Sequence, residues 1–209
     1  MTNLSDDFEK LGNYLLNLEI KYIAIHNDPT ELPDEYNLDV RSYCVLSHAA
    51  FEEYVENLCI YIIDEIEDNF KNKQRISFSS LCLLYSMGKF KESDLDDWGD
   101  NDKIYDRIRD ELKNLKSNLS KYIMEQNHGV GLKYLKKLLI PLGIYEPLET
   151  KHFIALDNLV KWRGGYAHKS YRNLRPTPPE DAKKSVYDVY DLMYKLTQKA
   201  QVIPYYKIH

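Results

Sequence analysis

The stretch Tyr43-Cys-Val-Leu-Ser-His48-Ala-Ala-Phe-Glu52-Glu-Tyr-Val-Glu-Asn-Leu-Cys59-Ile-Tyr-Ile-Ile-Asp-Glu-Ile66 decides the fold. A helix drawn through it carries apolar side chains in nearly every direction, whereas a half-buried strand would alternate and a surface helix would keep one polar face. Such a helix sits centrally and is covered by neighbours on more than one side. It is expected to start at about Asp39, which can cap the free amides of the first turn, and to reach Phe70.

The flanking segments have the same period. Between Leu4 and Ile25, Phe8, Leu11, Leu15, Leu18, Tyr22 and Ile25 recur at steps of three and four, and Asn27-Asp28-Pro29 ends the run. After the polar residues 72–75, the apolar stretch Ser77 to Met87 reads as a helix closed by Gly88. From Asp102 to about Asn127 the stripe Ile104, Ile108, Leu112, Leu115, Leu119, Tyr122, Ile123 returns; Gly129 and Gly131 then precede a short basic amphipathic helix over Leu132–Ile140. One further helix runs from Thr150 to the Gly164-Gly165 pair. The last starts at Thr177-Pro-Pro-Glu180, where Thr177 fits the N-cap and Glu180 the capping-box position. With no repeat and no strand pattern longer than a few residues, the expectation is an all-α bundle of five to seven helices, one domain over residues 1–209.

Composition narrows the class. No apolar run reaches the roughly 18 residues of a membrane span, and the polar, acidic start MTNLSDDFEK is unlike a secretory signal, so a cytoplasmic protein without membrane contact is expected. The 209 residues carry 28 basic and 33 acidic side chains, and the net charge of −5 argues against a protein that coats nucleic acid by bulk charge. Three cysteines without C-x-x-C spacing signal neither a disulfide framework nor a zinc knuckle. Cys44 and Cys59, fifteen residues apart on one helix and so roughly 22 Å apart, read as buried free thiols in a reducing compartment. Nine acidic residues between Glu92 and Glu111 read as a solvated loop and helix start, not as a metal site.

Against this acidic background one stretch is basic. Between Lys161 and Lys184 stand Lys161, Arg163, Lys169, Arg172, Arg175, Lys183 and Lys184, with only Glu180 and Asp181 opposing them. Local charge decides what a surface attracts. Within the stretch, Arg163 and His168 form an R-x4-H pair; on an unbroken helix five steps leave them roughly 140° apart, and the intervening Gly164-Gly165 is expected to end or kink the helix. A guanidinium grips a phosphate through two parallel hydrogen bonds, and an imidazole moves protons near neutrality, so the pair suits phosphate chemistry. Arg41 and His48 form a second pair, R-x6-H, on one face of the central helix, and are carried as a secondary candidate. The histidines His26, His128, His152 and His209 have no metal-ligand spacing and read as structural or surface groups.

An all-α chain whose penultimate helix ends in R-x4-H, followed by a Pro-containing loop and a final amphipathic helix, resembles the HEPN domain, closest to HEPN ribonuclease toxins of the RiboL-PSP group and the RloC/PrrC-type anticodon nucleases. The run Arg41 to Leu58, with its small, apolar and acidic residues, is similar to that family's early helix. The resemblance implies a dimeric, metal-independent and cofactor-free endoribonuclease that cleaves RNA, including tRNA, in a toxin or antiphage role, with an antitoxin or defence ATPase as partner. By motif position it implies that Arg163 binds the scissile phosphate, His168 acts as acid or base, and Glu52 is the supporting carboxylate. Lys161, Tyr166, Lys169, Tyr171, Arg172 and Arg175 surround the motif and are the expected RNA contacts, the tyrosines by stacking. Two positions depart from the family pattern. Gly164 stands where many members carry a polar residue, and Tyr171 lies one place beyond the tyrosine that one branch modifies. The second expectation is therefore a HEPN-like module that binds RNA or protein without cutting.

Overall fold

The computed structural model describes residues 3–28, 30–87, 101–126, 129–168 and 176–208. Among them, seven helices and two three-residue strands form an all-α bundle built around one long helix. α1 (Leu4–Tyr22) starts at Asn3, whose side chain accepts the Ser5 N–H at 3.1 Å, and buries Leu11, Leu15 and Leu18 of the expected stripe. α2 (Pro33–Lys73) is the central helix, 41 residues long. It packs against α1, α4 (Asn101–Gln126), α6 (Thr150–His168) and α7 (Pro179–Gln201), which is why Phe51, Leu58, Ile62, Ile63 and Ile66 are all buried.

α2 begins six residues before Asp39. Pro33 suits the first helical position because its missing N–H would have had no partner there, and the Glu35 carboxylate accepts the Leu32 N–H at 2.6 Å. Asp39 therefore lies inside the helix. It binds His26 Nε2 at 3.1 Å, while Glu31 binds the same ring's Nδ1 at 2.6 Å. Burial is the largest single influence on His26 and lowers its pKa, but the two carboxylates together outweigh it and the net shift is upward. The connection between α1 and α2 is thus tied down by a charge-assisted clamp.

α2 ends at Gln74, in the left-handed conformation at φ 49°. The chain then enters β1 (Arg75–Ser77), which pairs antiparallel with β2 (Tyr205–Lys207), Ile76 facing Tyr206, so the C-terminal segment is clipped beside the end of α2. α3 (Phe78–Met87) follows. The acidic residues 92–100, and Gly88 as the expected stop of α3, lie outside the described residues. α4 packs back on α2 through Tyr105, stacked on Phe70 at 4.7 Å, and through Lys116, held between Asp64 at 2.9 Å and Glu67 at 2.6 Å. α5 (Leu132–Leu139) turns one apolar face to the bundle and its lysines to solvent.

Besides the start of α2 and the end of α1, which falls at Tyr22 rather than Ile25, two helix boundaries beside the motif moved. α6 runs through Gly164 and Gly165 to His168 without a break, because a glycine pair weakens a helix by only about 2 kcal/mol against alanine and α6 is packed along its length on α2 and α7. At the start of α7 the N-cap is Pro178, not Thr177. The Thr177 hydroxyl is buried and pairs with the Tyr166 hydroxyl at 3.1 Å instead. Cys44 and Cys59 are buried free thiols and Cys82 is half-buried and free; burial pushes the Cys44 thiol up to about 12. Among the described residues no helix is long and apolar enough to cross a membrane.

Candidate functional site

The candidate site lies where α2 packs on α6. Residues 41, 48 and 52 are spaced by seven and four, so Arg41, His48 and Glu52 project from one stripe of α2. That stripe meets α6. The Arg41 guanidinium lies over the Tyr166 ring at 4.9 Å from its centroid, and the charge of Arg163 reaches His48. The secondary pair and the first half of the R-x4-H motif therefore share one neighbourhood.

His48 is 2% exposed. Burial, chiefly, and then the Arg163 charge lower its pKa to about 4, so the ring is neutral at pH 7. Its Nδ1 stands 3.8 Å from the Glu52 carboxylate, too far for a hydrogen bond. Backbone closes its other side. Gly129, at φ +133°, is so close that a Cβ there would sit 3.3 Å from both Cε1 and Nε2 of the imidazole. A side chain at residue 129 would be strained and would press on His48 at once.

Arg163 itself is half-buried and makes no ion pair among the described residues. A partly desolvated guanidinium without a carboxylate is costly and is normally completed by an anion. A phosphate fits, since it takes two parallel hydrogen bonds from the guanidinium face. Gly164, next in the chain, has open space where a Cβ would point, so nothing steric requires glycine there.

Of the other candidate residues, Lys161 is exposed and paired with Asp157 at 2.5 Å, and Tyr166 is half-buried between Arg41 and Thr177. His168 is the last residue of α6, and its side chain lies outside the described part. Lys169, Tyr171, Arg172 and Arg175 also lie outside the described residues. Gly129 and Thr177 were missed as site neighbours. The only signal for them in the chain was the glycine itself and a threonine that fitted a cap.

One group of potential metal donors exists among the described residues: Glu149, His152 and Asp191. Its donors are already engaged. His152 Nδ1 accepts the Glu149 N–H at 3.2 Å, which leaves the proton on Nε2 for Asp191 at 2.9 Å. Lys151 binds Asp191 at 2.6 Å, Lys195 pairs with Glu149, and these cations hold Asp191 down at about 2, with the Lys151 hydrogen bond the largest cause and His152 next. The arrangement ties the start of α6 to α7 as an ion-pair network.

In comparison with known proteins, residues 9–199 match the family model described as RiboL-PSP-HEPN. No curated protein and no solved structure matches the chain.

Proposed function

The chain belongs to the RiboL-PSP-HEPN family, and on that premise we propose that it is a metal-independent endoribonuclease of a toxin or antiphage defence system, with Arg163 and His168 as its working pair. Membership supports RNA cleavage in general. The observation that carries the finer reading is Arg163, half-buried and without an ion pair among the described residues, whose charge helps to keep His48 neutral.

The chemistry needs no electron donor or acceptor. His168 takes the proton of a ribose 2′-hydroxyl, O2′ bonds to the adjacent phosphorus, the P–O5′ bond breaks, and O5′ leaves with that proton, returned by the His168 imidazolium. Arg163 holds the non-bridging oxygens and offsets the charge of the pentacoordinate state. Glu52 supports the site from α2, and the buried, neutral His48 packs beside it. Lys161, Tyr166, Lys169, Tyr171, Arg172 and Arg175 are the residues from which RNA contacts are drawn.

Continuity of α6 bears on assembly. Five steps along an unbroken helix separate Arg163 from His168 by roughly 140° around the axis. Positions so far apart around one helix suit a site shared by two chains facing across a two-fold axis, each supplying part of it. A homodimer with paired motifs, a tRNA substrate and an antitoxin or defence ATPase partner are finer parts of the proposal. Products made in EDTA test the reading: it expects 2′,3′-cyclic phosphate and 5′-hydroxyl termini, and complete dependence on added metal sinks it.

A second reading, an RNA- or protein-binding module that does not cut, is favoured by Gly164, which brings no polar group to the residue after Arg163. Expression separates the two. Equal tolerance of wild type and an Arg163→Ala/His168→Ala protein in cells supports the binding module, and selective toxicity of wild type supports the nuclease.

A further inference from the structure

On the other flank of α6 an open surface cleft of about 690 Å³ lies alongside its contact with α7. Trp162, half-buried, and Asn158 line it from α6; Asp181, Lys184 and Asp188 line it from α7; Thr177 closes the end nearest the motif. We propose that this cleft is a base-reading subsite for the RNA strand, taking one unstacked base that carries an exocyclic amine. The proposal rests on the ribonuclease reading and adds to it a place where sequence is discriminated.

The cleft is linked to the motif by a short chain of contacts. Trp162 immediately precedes Arg163, and Thr177 bonds Tyr166, whose ring carries Arg41. A strand whose phosphate lies on Arg163 therefore has a neighbouring nucleotide within reach of the cleft. The Trp162 ring provides a stacking face, the sequence-tolerant part of single-strand binding.

Polarity supplies the selectivity. The Asn158 amide nitrogen donates to Ser185 Oγ at 3.2 Å, which leaves its carbonyl oxygen as an acceptor. Asp181 and Asp188 make no ion pair among the described residues and add carboxylate acceptors, while Lys184, likewise without an ion pair there, is the one cation left for a backbone phosphate. Lys151 also lines the cleft but is held by Asp191 and Glu149, so the unengaged groups of the lining are mostly acceptors. Cytosine presents an amine at C4 where uracil presents a carbonyl, so cytosine is welcomed and uracil is repelled by the carboxylates at equal ring size.

The test uses the full chain with His168→Ala, to stop cleavage, and Trp98→Phe, so that Trp162 is the only tryptophan. Six-residue oligocytidylate and oligouridylate are titrated while Trp162 fluorescence and the anisotropy of labelled oligonucleotide are followed. The inference expects saturable quenching by oligocytidylate with affinity about tenfold above oligouridylate, in line with one base-edge contact. Asp188→Asn and Lys184→Ala, both surface changes, are expected to reduce the discrimination and the affinity respectively. Equal affinities for the two oligomers, binding without any Trp162 response, or no binding by a chain whose wild type cuts RNA would overturn the inference and leave the nuclease reading standing. Conversely, cytidine-selective quenching in a chain whose wild type does not cut RNA supports the subsite and overturns the nuclease reading.

Discussion

Arg163 on α6 and His48 on α2 are electrostatically coupled: the guanidinium charge adds to burial in lowering the imidazole to about 4. The two residues lie 115 positions apart in the chain. Together with Arg41 lying over Tyr166, this coupling puts α2 and α6 into one neighbourhood. Replacing Arg163 by Gln removes the charge and keeps much of the side-chain volume. The His48 pKa is then expected to rise while staying below its ordinary value of 6.5, because burial, the larger cause, remains. Titration of the His48 ring by NMR measures this, and an unchanged pKa would show that the two do not interact.

The same depressed pKa shapes acid stability. An unfolded chain takes up a proton on His48 near pH 6.5, whereas the folded chain does so only near pH 4. Stability contributed by the neutral buried ring is present above pH 6.5 and is lost as pH falls toward 4, by up to about 3 kcal/mol. His26 has the opposite sign: its raised pKa stabilises the fold at low pH, and that contribution fades as pH rises through the folded value. Urea unfolding at pH 7 and pH 4.5 should therefore show a smaller acid loss for His48→Gln than for wild type, and a larger one for His26→Gln.

Gly164 should accept a side chain. The space at its Cβ is open and the residue sits within a helix, so Gly164→Ala is expected to raise stability by about 0.5–1 kcal/mol. A rise in thermal midpoint checks it. A fall would mean that this turn of α6 needs glycine.

Gly129 should not. At φ +133°, with the His48 ring 3.3 Å from the position of a Cβ, Gly129→Ala combines backbone strain with pressure on the imidazole. A destabilisation of about 1–3 kcal/mol is expected, together with a displaced His48 resonance. If the variant were as stable as wild type with an unshifted His48, the backbone would not be closing that side of the ring.

Much of this was legible in the chain because it is local. The stripes Leu11, Leu15, Leu18 and Val186, Val189, Met193 report helix faces through their period alone, and the unrelieved apolar content of Tyr43–Ile66 marks the central helix. What escaped depends on packing. Thr177 has the chemistry of a cap but finds a tertiary partner in Tyr166, and the glycine pair after Arg163 stays helical because α2 and α7 hold α6 on either side. For the site, R-x4-H and R-x6-H were both visible as spacings. That Arg41, His48 and Arg163 belong to one neighbourhood was not, since only the crossing of α2 and α6 brings together residues more than a hundred positions apart.

Arg163 and His168 are proposed to cut RNA without metal. Purified wild type, Arg163→Ala and His168→Ala proteins are incubated with total RNA in excess EDTA and the initial cleavage rates compared. The account predicts cleavage by wild type and a loss of at least about a hundredfold in each variant, the scale of removing a general acid or base or an oxyanion donor. Undiminished cleavage by His168→Ala, or no cleavage by wild type until metal is added, would contradict it.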